Sequence, residues 1–130
     1  MSIIARVFTI LGCAVLGAVV GAVGTVAHAS LEPLGVILAV IASTALVLAL
    51  RLLIDRWASV AASVGLIGAI VLFSGPGPGG SIIAPAEDPY ALVWAIAAPL
   101  LAAVIVAFPT LPVAPVAPAS ASAPRTQPPA

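Results

Sequence analysis

Every charge in this chain stands outside four long uncharged runs. The charged residues are Arg6, Glu32, Arg51, Asp55, Arg56, Glu87, Asp88 and Arg125, and between them lie Val7 to Leu31, Pro33 to Leu50, Trp57 to Phe73 and Tyr90 to Phe108. At about 1.5 Å per residue, runs of roughly 17–25 residues cross a hydrocarbon layer about 30 Å thick. Charged residues make up 6% of the sequence, against about 25% in a soluble domain, so an ordinary soluble fold is excluded. With no Lys and a formal net charge of zero, no basic surface exists to hold nucleic acid. The runs are apolar on every face and lack the alternation of barrel strands, so they read as spanning helices. The expected fold is all-α, a four-helix transmembrane bundle. Its spans fall at about 7–29, 33–50, 57–73 and 90–108, in a membrane domain over 1–108 with a disordered Pro/Ala-rich tail over 109–130.

The arginines set an expected orientation. With the N-terminus inside, Arg6, Arg51, Arg56 and Arg125 all fall on the cytoplasmic side, and the outer loops hold only Glu32, Glu87 and Asp88; this is the distribution that positive-inside sorting gives. Both termini are then cytoplasmic, in a multi-pass protein of a bacterial inner membrane. Trp57 at the inner boundary and Tyr90 and Trp94 at the outer one fit an aromatic belt. Ala27-His28-Ala29 before Ser30 has the form of a signal-peptidase site, but the preceding apolar run is longer than the usual 7–15-residue core of a cleaved signal, so the first span is expected to stay. Cys13, after Ile10-Leu11-Gly12, is only a faint lipidation signal.

Small residues mark the expected contact faces. Gly17, Gly21 and Gly24 share one face of the first span with Cys13 and His28, and Gly17 to Gly21 is a GxxxG step of the kind that lets two helix backbones approach. The third span repeats the pattern with Ala58, Ala61, Gly65 and Ala69, the fourth with Ala91, Ala95, Ala98 and Ala102, and the second with Gly35, Ala39 and Ala42. Because every span has such a stripe, packing within the bundle is the expected use, with a dimer seam as the alternative. Pro99 removes one backbone hydrogen bond and is expected to kink the fourth span.

Chemistry-bearing residues are sparse. No charge falls within a span, and the hydroxyls of Thr9, Thr25, Ser43, Thr44, Ser59 and Ser63 are expected to bond back to their own helices. His28 lies near the outer end of the first span with Glu32 four residues on, side by side if the helix continues. Such a pair can bind a metal or titrate near neutral pH, but a metal needs three or four ligands, so a solvated interfacial His28 is expected. Cys13 has no second cysteine to pair with. The run Ser74-Gly75-Pro76-Gly77-Pro78-Gly79-Gly80-Ser81 has no Lys after it and no strand before it, so it is not a nucleotide-phosphate loop. It reads as a turn, with Gly77 and Gly79 as weak binding candidates beside His28 and Glu32. Pro109, Pro112, Pro115 and Pro118 recur at the three-residue period of polyproline II, along an edge about 28 Å long, either as a docking ridge or as a solvated tail. No catalytic residue, metal or cofactor is expected.

The four Ala/Val/Gly-rich spans and the Ser74 to Ser81 loop resemble a family of small actinobacterial integral membrane proteins without an assigned activity, over roughly residues 3 to 108. Small multidrug transporters share the span count, but their carboxylate inside the first span has no counterpart here. The expected function is therefore a non-enzymatic membrane protein, an accessory or assembly partner of a larger envelope system. Its partners would be the lipid bilayer and either another membrane protein or further copies of itself; the alternative is a small oligomeric transporter or channel.

Overall fold

A computed structural model describes residues 2–75 and 88–109. The expectations placed on Gly77 and Gly79, and on the tail beyond Pro109, concern residues outside that set. Among the described residues the chain is all-helical: α1 (Ile3–Ser30), α2 (Leu34–Leu53), α3 (Arg56–Ser74) and α4 (Pro89–Ala107). Each helix is long and apolar enough to cross a membrane.

Local chemistry sets the helix starts. The Ser2 hydroxyl accepts from the Ala5 N–H at 3.2 Å, which satisfies an orphan first-turn amide. It starts α1 before Arg6, several residues ahead of the uncharged run. Asp55 does the same for α3, accepting from the Ala58 N–H at 2.7 Å. Asp88 opens α4 by accepting from the Tyr90 N–H at 2.9 Å, with Pro89 at the first helical position, where its missing N–H costs nothing. At its C-terminal end α2 runs past Arg51 to Leu53. The Arg51 guanidinium reaches across to donate through Nη2 to the Phe108 carbonyl, at the cap of α4. The start of α3 and the ends of α2 and α4 are thereby gathered at one end of the bundle.

Large apolar side chains point away from the bundle and small ones into it. Leu11, Val15, Leu38, Val64, Leu72 and Leu100 are exposed, while the interior holds Ala39, Ala58, Ala61, Ala62, Ala98 and Ala102 around a few larger groups. That inversion suits a multi-pass membrane protein, because lipid tails solvate leucine as well as another helix does. The most extensive helix contact is α1 on α3, followed by α1 on α2; α4 joins mainly through α2.

Cys13, Gly17, Gly21, Gly24 and His28 of α1 are all buried, as are Ala58, Ala61 and Ala69 of α3, with Gly65 half-buried. On α4, Ala91, Ala98 and Ala102 are buried and Ala95 is half-buried. In α2 the inward face differs from the expected one. Gly35 and Ala39 are buried but Ala42 is exposed, and the face continues through Ser43 and Val47. Four-residue steps carry it there, and Ser43 is tolerated inside because its hydroxyl donates to the Val40 carbonyl at 3.0 Å. Helix α4 is continuous through Pro99.

Candidate functional site

Polar groups collect where α1 ends and α4 begins. A Cβ placed on Gly24 would lie 2.6 and 2.7 Å from ring carbons of Trp94 and 3.3 Å from the Ala39 methyl, so the indole rests directly against the glycine. Trp94 is completely buried. Its Nε1–H donates to Thr25 Oγ1 at 3.1 Å, and that hydroxyl donates in turn to the Gly21 carbonyl at 2.8 Å. Adjacent residues of α1 thus provide the socket and the anchor for one side chain of α4. Trp94 is a core residue, not a member of an aromatic belt. The signal was available in the sequence: Trp94 lies three residues after Ala91 and four before Ala98, on the same helical face as the alanine stripe.

His28 sits one turn beyond Thr25 and is also completely buried. This corrects the expectation of a solvated interfacial imidazole. Helix α2 covers it closely: a Cβ on Gly35 would overlap the Ala27 carbonyl and come within 3.1 Å of the His28 Cα. Among the described residues, neither Nδ1 nor Nε2 of His28 has a hydrogen-bond partner. One unsatisfied buried donor or acceptor costs about 1–3 kcal/mol, and neutral imidazole carries one of each. Such an orphaned group in a native interior calls for an explanation. The paired Glu32 does not supply one. Helix α1 stops at Ser30, Leu31 forms its cap, and Glu32 is exposed in the link to α2, before a cis peptide to Pro33; the four-residue helical spacing therefore never applies.

Most hydroxyls behave otherwise: Thr9 donates to the Ala5 carbonyl, Ser59 to Arg56 and Ser63 to Ser59, all within their own helices. Thr44 departs from that expectation, its buried Oγ1 having no partner among the described residues. Cys13 is a free, buried thiol packed with Ala58, Ala61 and Ala62. Among the described residues no three His, Cys, Asp or Glu side chains are gathered closely enough to hold a metal ion.

Outside the bundle, α1 and α3 border an apolar groove of about 500 Å³ whose lining includes Ala18, Ala22, Gly65, Gly68, Leu72 and Phe73. A second hollow continues it past Ala22 and Phe73 toward Val26. Gly68 is exposed there, and a Cβ on it would meet nothing within 4 Å. No protein-family model, characterised protein or solved structure matches this chain.

Proposed function

We propose that this chain is a non-catalytic protein of a bacterial inner membrane, an accessory or assembly partner of a larger envelope system, that receives a partner's transmembrane helix in the α1/α3 groove. The observation that carries the reading is Gly68. A glycine in a helix interior costs roughly 0.8–1.0 kcal/mol relative to alanine, and here nothing among the described residues uses the space it leaves. Small residues on an outward face allow another backbone to come close, which is how helices associate in lipid. On the resemblance of the Ser74 to Ser81 loop, we assign the chain to the small actinobacterial four-span proteins.

We further propose that both termini are cytoplasmic. Arg6, Arg51 and Arg56 belong to the end of the bundle where α1 and α3 begin and α2 finishes, whereas Glu32 and Asp88 belong to the other, and positive residues favour the inner face. Photo-cross-linking from Leu72, an exposed residue lining the groove, tests the docking reading in native membranes while Gly68 is kept. A discrete adduct with a different membrane protein supports it. Adducts only with lipid overturn it, and adducts only with further copies of the chain turn the assignment toward a small oligomeric transporter or channel.

A further inference from the structure

We propose that Arg56, Trp57 and Val60 form a headgroup site for an anionic phospholipid, at the end of the bundle where α2 finishes and α3 begins. The inference uses neither the α1/α3 groove nor a partner helix. The three residues line a cavity of about 270 Å³. Arg56 and Val60 are one turn apart and so share a face of α3, with Trp57 next to Arg56. Arg56 is exposed, Val60 is half-buried and Trp57 is 60% exposed, in contrast to the fully enclosed Trp94. A guanidinium therefore stands at the helix end, an indole beside it, and an apolar side chain one turn farther into the span. A phospholipid has the same order of polarity, from phosphate through glycerol to acyl chain.

Depth and charge choose the ligand. The chain just before α3 exposes Leu52, Leu53 and Ile54, an apolar patch that belongs at a bilayer boundary rather than in water. It sets the Arg56 guanidinium at the level of the lipid phosphates, whose oxygens its planar fork can meet with paired hydrogen bonds. The first amides of α3 are not the ligand, because Asp55 already accepts from the Ala58 N–H at 2.7 Å. Among the described residues, Arg6, Arg51 and Arg56 gather at this end against Asp55 alone, and Arg51 donates to the Phe108 carbonyl. A choline or ethanolamine headgroup would bring a further cation to that end. An uncharged glycerol headgroup leaves the phosphate charge uncompensated, and it is this negative charge that the arginines attract.

Full-length protein is placed in phosphatidylcholine nanodiscs that contain a minor fraction of either brominated phosphatidylglycerol or brominated phosphatidylcholine, since bromine quenches an indole it touches. Subtracting the signal of Trp57→Phe protein isolates Trp57, because Trp94 is the sole other tryptophan. Quenching by the brominated phosphatidylglycerol should exceed that by the brominated phosphatidylcholine several-fold, and Arg56→Gln should bring the two level. Arg6→Gln, which removes an equal charge from the same end, should leave the preference in place. If Arg56→Gln fails to insert, Arg56→Ser replaces it; if both fail, the parent and Arg6→Gln decide. Equal quenching by the two lipids in the parent overturns the site. So does a preference that survives Arg56→Gln, or one that Arg6→Gln lowers as far, which would make it an attraction of the whole end. Inorganic phosphate that abolishes the preference, where chloride at equal ionic strength does not, would make the ligand a soluble anion and overturn the lipid assignment.

Discussion

Of the contacts that α1 makes inside the bundle, those with α3 and α4 use glycine in opposite ways. Against α3 the contact is backbone on backbone: a Cβ on Gly17 would overlap the Ala62 carbonyl, and one on Gly65 would overlap the Ala14 carbonyl, so each helix supplies a notch for the other. Against α4 the contact is a ring in a socket, with Gly24 beneath the Trp94 indole and Thr25 bonded to its Nε1. Lipid gives helices no hydrophobic reason to associate, so close packing and interhelical hydrogen bonds must do it. The α3 seam obtains packing by length, repeating close approaches along both helices. The α4 seam obtains it from one large side chain and one bond. A backbone cannot move locally without moving its helix, whereas a side chain can shift alone, so the two seams should differ in how they tolerate added or removed atoms.

The largest effect is expected from emptying the socket. Trp94→Ala removes a fully buried indole and leaves Thr25 without its interhelical donor, and large-to-small core changes of this type cost about 3–5 kcal/mol. Equilibrium unfolding in mixed micelles measures it, and a loss under about 1 kcal/mol would mean that the indole fills space without holding α4. Next comes the backbone seam. Gly17→Ala sets a methyl against the Ala62 carbonyl, and because only separation of the helices relieves it, the cost should fall at the upper end of overpacking, about 3 kcal/mol.

These two seams were unequally visible in the sequence. Cys13, Gly17, Gly21, Gly24 and His28 fall on one face by helical spacing alone, and small residues at that spacing declare a close contact whatever the partner. The four helices were equally plain, since charges cannot sit cheaply in hydrocarbon and so bracket each span. Trp94 and His28 were harder. Both types prefer interfaces, and a residue a few positions from a span end looks interfacial until the length of its helix is known. Helix α1 runs from Ile3 to Ser30, and α2 and α4 close around its last turns. The Ala42 placement failed for a related reason: a second helix with three neighbours can turn any of several faces inward, and Val47 and Ser43 won.

A smaller effect separates side-chain from backbone tolerance directly. Gly24→Ala presses on the Trp94 ring at 2.6 Å, but the ring can tilt, so the cost should be about 1–2 kcal/mol, below that of Gly17→Ala. In a Trp57→Phe background the emission of Trp94 should change as its bond to Thr25 lengthens. Equal costs at Gly24 and Gly17 would erase the distinction between socket and backbone seam.

The smallest effect is the one that ties the inner seams to the outer groove. Gly68 is on α3 like Gly65, one turn away, yet its missing Cβ faces open space. If glycines in this bundle were kept only for internal approach, Gly68→Ala would have nothing to disturb and should raise helix stability by up to about 1 kcal/mol through propensity alone. That gain is expected in purified protein, where unfolding in mixed micelles reads the isolated chain. In native membranes the same methyl should instead weaken the cross-link formed along the groove, and Gly68→Leu should abolish it while leaving the purified bundle as stable as before. Stability and association thus move in opposite directions at this position, whereas at Gly65 they would fall together because the bundle itself comes apart. A loss of stability for Gly68→Ala in purified protein would show that α3 already uses this face internally, and the groove could not then be the seat of a partner helix.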